Sequence, residues 1–220
     1  MIPKEVRDVV VKLVAAGHKA YPVGGCVRDI LRGVAPKDWD ITTSARPEEI
    51  LALFAESFYE NKFLTVTVKI GSPDAALAEI EITTYRAEGK YTDKRHPDEV
   101  QYAQTLEEDL SRRDFTINAM AIDDGSFQTK SGKDSRLSLE CVIDPFGGQE
   151  DLKKKLIRAV GDADTRFGED ALRMMRAVRL ATELDFTIEE ATMAAIRKNA
   201  DAFAFVSSER IRDELIKLFL

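Results

Sequence analysis

The stretch AYPVGGCVRDILRGVAPKDWDITTS, residues 20–44, decides how the fold is read. A short apolar run, Ala20–Val23, enters Gly24-Gly25 and then Cys26–Arg32, a helix-like segment closed by Gly33. Strand, tight turn and helix is the reading. A loop then delivers Asp38-Trp39-Asp40. Residues i and i+2 of a strand face the same way, so this triplet predicts two carboxylates side by side on one sheet face. Such a pair calls for a cation, and hard oxygen donors suit Mg²⁺, which keeps several waters and completes its shell from substrate phosphates. The turn offers unhindered backbone N–H groups and the positive end of a helix dipole, both suited to a triphosphate, and Arg28 stands close by in sequence. Taken singly these signals are bland, since Asp-x-Asp is common in turns and Gly-Gly often marks nothing more than a tight bend. Their order and spacing favour chemistry.

Upstream, Ile2, Val6, Val9, Val10, Leu13 and Val14 recur at helical spacing, with Pro3 suited to a first turn and Gly17 to the stop. Downstream, Pro47 opens a helix with Ile50, Leu51, Leu53 and Phe54 on one side, and Phe63–Ile70 alternates Leu64, Val66, Val68 and Ile70 with polar residues, the period of a strand. In Glu79–Tyr85, Ile80 and Ile82 alternate with Glu79 and Glu81. Glu81 is the natural third carboxylate if that strand lies beside Asp38 and Asp40, although Glu79 shares its face and each also reads as an ordinary solvated residue. Residues 87–99 are polar and read as a mobile loop, and 123–140 reads as an elongated hairpin or insertion. Beyond Pro145 strand signals fade: Glu169–Leu184 is strongly helix-forming, Thr187 with Glu190 has capping-box spacing, and Ser207–Leu220 forms a last amphipathic helix. The expected class is α+β followed by an all-α part, with domains at 1–145 and 146–220, and a final helix that reads as cut short.

Two further stretches carry charge in a pattern. Glu108–Thr116 (EDLSRRDFT) reads, on composition, as a charged helix end with ordinary ion pairs. In Glu169–Arg179 (EDALRMMRAVR) every third residue from Asp170 is charged, which predicts a winding stripe with Leu172, Met175 and Val178 packed inward. That stripe suits a groove or a solvated face. Asp170 with Arg173 has a specific chemical use, because a guanidinium only donates and a carboxylate only accepts. Cytosine and adenine present ring acceptors beside an amino donor, so one Asp and one Arg serve both. Uracil and guanine carry N–H where the arginine points, at roughly 1 to 3 kcal/mol per unpaired group.

The 220 residues, 32% charged and 44% hydrophobic with 12 Gly and 7 Pro, exclude disorder and fibrous repeats. No apolar run or leader signals a membrane span or export, so a cytoplasmic protein is expected. Cys26 and Cys141, with His18 and His96, are too scattered for a zinc site or a disulfide framework. A net charge of -7 argues against a nucleic-acid partner until it is divided along the chain. The first 150 residues hold 19 basic against 26 acidic groups, whereas Lys153–Arg179 holds eight against four. Local charge decides partner binding.

Six ordered stretches, VGGCVRDILRG at 23–33, KDWDITTSARPEEI at 37–50, EITTYR at 81–86, EEDLSRRDFTINAMA at 107–121, IDPFGG at 143–148 and EDALRMMRAVRLA at 169–181, resemble those of the class II bacterial tRNA nucleotidyltransferases. These are the CCA-adding enzymes and their poly(A) polymerase relatives, in the polymerase-beta-like superfamily. The resemblance implies a catalytic head with a small mixed sheet, in which Asp38 and Asp40 bind metal and Glu81 is the third carboxylate. It implies a helical neck in which Asp170 and Arg173 pair with the base, while Gly24, Gly25, Arg28, Arg113, Arg176 and Arg179 bind the nucleotide. The implied activity is addition of CMP and AMP, from CTP and ATP with Mg²⁺, to the tRNA 3′ end, with no DNA or membrane partner. The segment around Tyr91–Pro97 corresponds to a family loop needed for the final adenosine, which disfavours a CC-only enzyme. Asp123–Cys141 is longer than usual in the family, and family members continue through body and tail domains that hold tRNA. The rivals are a poly(A) polymerase or an A-adding enzyme and, more remotely, a non-catalytic nucleotide- or RNA-binding module.

Overall fold

The computed structural model describes residues 2–60, 64–87, 101–123, 125 and 141–219. The apolar spacing at the start becomes α1 (Lys4–Ala15), which buries Val6, Val9, Val10 and Leu13 after Pro3 at its N-cap. Next come β1 (Ala20–Val23), α2 (Gly25–Leu31), β2 (Asp40–Thr43) and α3 (Pro47–Leu53). Helix α3 starts on Pro47 and is capped by Glu49, whose carboxylate accepts from the Arg46 N–H at 2.7 Å. A strand not anticipated from the sequence, β3 (Ser57–Glu60), precedes β4 (Thr65–Lys69), the one-turn α4 (Ala75–Ala78) and β5 (Glu79–Thr84). The short β6 (Arg86–Ala87) and β7 (Gln101–Tyr102), α5 (Leu106–Ser111), β8 (Ala121–Ile122) and β9 (Val142–Ile143) follow.

These strands build a seven-stranded sheet in the order β3-β4-β5-β2-β1-β8-β9. It is mixed: β2 runs parallel to β5, and the remaining pairs are antiparallel. One face is core, where Ile41, Val66, Val68, Ile80 and Ile82 pack with Val6, Val9 and Leu13 of α1, with Cys26 and Val27 of α2 and with Ile50 of α3. The opposite face carries the polar half of the alternation. There Thr65 and Thr83 share a hydroxyl bond at 3.0 Å, and Thr42 donates to the buried Asp109 carboxylate at 3.0 Å. A buried carboxylate is tolerated where such donors meet it, and Asp109 also accepts from the Arg86 N–H at 3.3 Å.

The chain divides into two compact units. Of the described residues, the first comprises 2–60, 64–87, 102–110, 120–123, 125 and 141–145, and the second 101, 111–119 and 146–219. Thus Ser111–Ala119, early in the chain, packs with the late residues.

The second unit contains α6 (Gly148–Lys153), β10 (Leu156–Ile157), α7 (Ala163–Glu169), α8 (Leu172–Leu184), β11 (Thr187–Ile188), α9 (Glu190–Lys198) and α10 (Ser208–Phe219). It is helical but not purely so, because β10 and β11 form a short parallel ladder, Leu156 opposite Thr187. Its core gathers Phe115, Ile117, Ile157, Phe167, Met174, Ala177 and Leu180. Two further expectations are corrected here. The inward face of α8 is Leu172, Met174, Ala177 and Leu180, while Met175 is half-buried and Val178 is 43% exposed. The reason is that residues three apart in an α-helix drift by about 60° per step, so Leu172, Met175 and Val178 wind across the helix instead of sharing one face. Thr187 belongs to β11, and the cap of α9 is Glu189, whose carboxylate accepts from the Thr192 N–H at 3.3 Å. The loop expected at 87–99, including Tyr91–Pro97, and the insertion expected at 123–140 lie largely outside the described residues. Asp123 and Cys141 at the rim of the insertion are joined by a backbone bond of 2.8 Å. Among the described residues no helix is long and apolar enough to cross a membrane.

Candidate active site

In the first unit the acidic residues are set by strand register. Asp40 opens β2, and the parallel pairing with β5 puts it directly opposite Glu81. Neighbours in register project from the same face of a sheet, so these two carboxylates stand together on the side away from the core. The Glu81 N–H donates to the Trp39 carbonyl at 3.3 Å, which extends the pairing one residue ahead of the strand. Asp38 lies in the bend before β2 rather than in a strand, a correction to the simple alternation argument. The alternation in burial nonetheless reaches it: Trp39 and Ile41 are buried, Asp40 is half-buried and Asp38 is exposed. Glu79 is exposed one pair further along, opposite Lys69 of β4.

Cys26 lies beneath these residues. Its thiol donates to the Val23 carbonyl at 3.3 Å and to the Asp40 carbonyl at 3.9 Å. Burial first, and then the charges of Asp40 and Asp38, push the thiol up to about 12. It is a neutral packing group that braces the Asp40 backbone, not a nucleophile. Among the described residues no group of three or more His, Cys, Asp or Glu side chains is placed to hold a cation by itself. The donor set on offer is all carboxylate oxygen at a partly open face.

The Gly-Gly turn does less than the sequence suggests in one respect and more in another. Gly24 adopts φ 84° and ψ -134°, a conformation open to glycine, and its N–H is taken by the Met120 carbonyl at 3.1 Å. It shapes the turn rather than offering its amide to a ligand. Gly25 begins α2, and the Arg28 guanidinium folds over it, so that a β-carbon at Gly25 would lie 3.7 Å from Nη2. Asp29 grips Arg28 with two bonds of 2.9 Å. The fork-to-fork geometry makes the arginine a fixed positive group at the helix start.

In the second unit the arginines are held individually. Arg176 donates from Nε and Nη2 to Asp114 Oδ2, at 2.8 and 2.7 Å. Burial alone would raise the Asp114 carboxyl, but the charge of Arg176 and the hydrogen bonds from Arg176 and Asn118 outweigh it and hold the group at about 2. Arg173 donates to Glu169 Oε2 at 2.6 Å and to the Arg112 carbonyl at 3.0 Å. Asp170 does not pair with Arg173; its carboxylate meets Arg210 and the Leu172 N–H. Arg113 donates to the Asn118 carbonyl at 3.5 Å. Arg179 bridges Glu183 on its own helix and Glu214 on α10.

Sequence reasoning therefore missed Arg210, Asp114 as a charge holder and Glu214. No local signal marks the first of these, which lies forty residues beyond its partner.

Residues 20–158 match the family model described as Poly A polymerase head domain, and 185–220 match one described as Probable RNA and SrmB- binding site of polymerase A. The CCA-adding enzyme of Lactobacillus delbrueckii subsp. bulgaricus is 47% identical over 217 residues, covering 98% of this chain and 50% of that protein. That of Geobacillus kaustophilus is 43% identical over 221 residues, covering 98% and 49%. Among solved structures, the Bacillus stearothermophilus CCA-adding enzyme in complex with CTP aligns with a TM-score of 0.83 at 40% identity, over 99% of this chain and 49% of that one. The Thermotoga maritima CCA-adding enzyme complexed with tRNA aligns with a TM-score of 0.73 at 28% identity, over 99% and 48%. The chain spans about half the length of the curated relatives it matches. With a model match running from β1 to β10 and the mixed sheet those relatives share, the chain belongs to the poly A polymerase head-domain family, in the company of the CCA-adding enzymes.

Proposed function

We propose that this chain carries the transferring and base-selecting parts of a CCA-adding enzyme, which adds CMP and AMP from CTP and ATP to the 3′ end of tRNA and releases pyrophosphate. The carrying observation is the register of β2 on β5, which sets Asp40 beside Glu81 on the polar face with Asp38 two residues away. Residues 1–145 act as the catalytic head and 146–220 as the neck that selects the base. Asp38 and Asp40 would hold Mg²⁺, with Glu81 completing the acidic face, and the open all-oxygen donor set fits that ion. When bound, the metal lowers the pKa of the attacking ribose hydroxyl and neutralises charge on the phosphates.

The chain's own groups do the rest by positioning. Arg28, fixed by Asp29 over Gly25, holds a triphosphate oxygen at the start of α2. Gly24 keeps the turn tight enough for that approach. Arg113 and Arg176 supply further positive charge to the nucleotide. Asp170 accepts the amino group of cytosine or adenine, and Arg173 donates to the ring acceptor. Arg179, between Glu183 and Glu214, contributes by tying α10 to α8.

Replacement of Asp38 or Asp40 by Ala tests the assignment. Transfer to a tRNA lacking its CCA end, followed with labelled CTP, should fall by about 10³-fold or more while the melting temperature stays near that of the parent. Parent-like turnover in either variant would remove the acidic pair from the reaction.

A further inference from the structure

We infer that Arg210 is a specificity-determining residue for the incoming base, acting through Asp170; this rests on the base-selecting role proposed above for Asp170 and Arg173. Arg210 lies on α10 and meets the Asp170 carboxylate with two parallel bonds, Nη1 to Oδ1 at 3.1 Å and Nη2 to Oδ2 at 2.7 Å. The Leu172 N–H adds a third, to Oδ1 at 3.1 Å. A carboxylate offers about four acceptor positions. Among the described residues three are filled, and the open one is on Oδ2. It can be reached, because the Asp170 and Arg210 side chains keep 19% and 31% of their surface. A group with one free acceptor and no donor takes one N–H. The exocyclic amino group of cytosine or adenine satisfies it, whereas the carbonyl that uracil or guanine presents there meets a lone pair.

Arg210 also keeps the two readers apart. The Arg173 N–H donates to the Asp170 carbonyl at 3.0 Å, so the two side chains leave one turn of backbone. With Arg210 on Asp170, Arg173 is directed to Glu169 and the Arg112 carbonyl instead. Without Arg210 the carboxylate loses its fork and has the Arg173 guanidinium three residues along its own segment, with Arg176 also close enough to feel its charge. Collapse of Asp170 onto Arg173 would occupy the acceptor and the donor together, and both base edges would go unread.

The experiment is equilibrium binding of CTP, ATP, UTP and GTP, each with MgCl₂, to the parent chain and to R210A, R210K and E214Q, with thermal unfolding of each. The parent should prefer CTP and ATP. In R210A the preference for CTP over UTP should fall about tenfold, through weaker CTP binding. R210K keeps the charge but cannot make two parallel bonds, so it should lose part of the preference, and it decides the question if R210A does not fold. E214Q removes the charged link from Arg179 to α10 and leaves Arg210 in place, so its preference should match the parent's. Unchanged preference in R210A or R210K overturns the inference. So does an equal loss in E214Q, which would make the docking of α10 the cause. A parent chain that binds all four nucleotides alike would instead overturn the base-selecting role of Asp170 and Arg173 on which this rests.

Discussion

Asp114 is 8% exposed, yet it keeps its charge, because Arg176 and Asn118 donate to it and the Phe115 N–H adds a bond of 2.8 Å. Its carboxyl is held at about 2 against an ordinary 3.8, so the folded state binds the proton less readily than the unfolded one. Stability from this pair is fully present above the ordinary value and is lost as pH falls through the depressed one, roughly 2 kcal/mol in all. Urea unfolding of the parent and of D114N should therefore show a large gap at about pH 5 that narrows steadily toward about pH 2. A gap independent of pH would show that Asp114 is not held ionised by Arg176. The sequence marks Asp114 as part of a charged cluster, but its partner lies 62 residues on, and no local pattern reports such a pairing. Asp170 is a similar case. The sequence marks it with Arg173 as a base reader, and the arginine that holds its carboxylate lies forty residues on.

At the scale of elements, the stretch that decides the fold also carries its tightest backbone requirement. Gly24, at φ 84° and ψ -134°, joins β1 to α2 and lends its N–H to Met120. Gly24→Ala places a β-carbon in a strained region and should cost about 1–3 kcal/mol in denaturant unfolding, with nucleotide binding weakened as Arg28 is displaced. A variant as stable as the parent would mean that the turn has another accessible shape. Strands β4 and β5 were legible because their alternation is strict and one face is buried. So was the face that Glu81 shares with Glu79, since the buried Ile80 and Ile82 fix which way both point. The parallel pairing that sets it against Asp40 is a long-range fact, and the sequence offered it only as a condition. Strand β3 went unread because four residues at the sheet edge are too few to show a period. The inward face of α8 differs from the expected one because a spacing of three does not match 3.6 residues per turn, so Leu172, Met175 and Val178 drift off one face, while Met174, Ala177 and Leu184 stay buried.

At the scale of the whole molecule, the charge gradient along the sequence has a different meaning once partners are known. Lys153–Arg179 holds twice as many basic as acidic groups, but five of its arginines are paired: Arg158 with Asp151 and Glu189, Arg166 and Arg173 with Glu169, Arg176 with Asp114, and Arg179 with Glu183 and Glu214. Several of those acids come from other parts of the chain, which a window count does not see. The second unit thus presents arginines held in set directions, a better basis for selecting a nucleotide than a diffuse basic surface. The acidic surplus of the first unit includes the carboxylates that a metal-assisted transfer needs. The most direct test of this account is to incubate the protein with a tRNA ending before its CCA sequence, CTP, ATP and MgCl₂, and to size the product at single-nucleotide resolution. The account predicts growth by three nucleotides, two from CTP and one from ATP. A long adenosine tail, a single added A, or an unextended tRNA would contradict it.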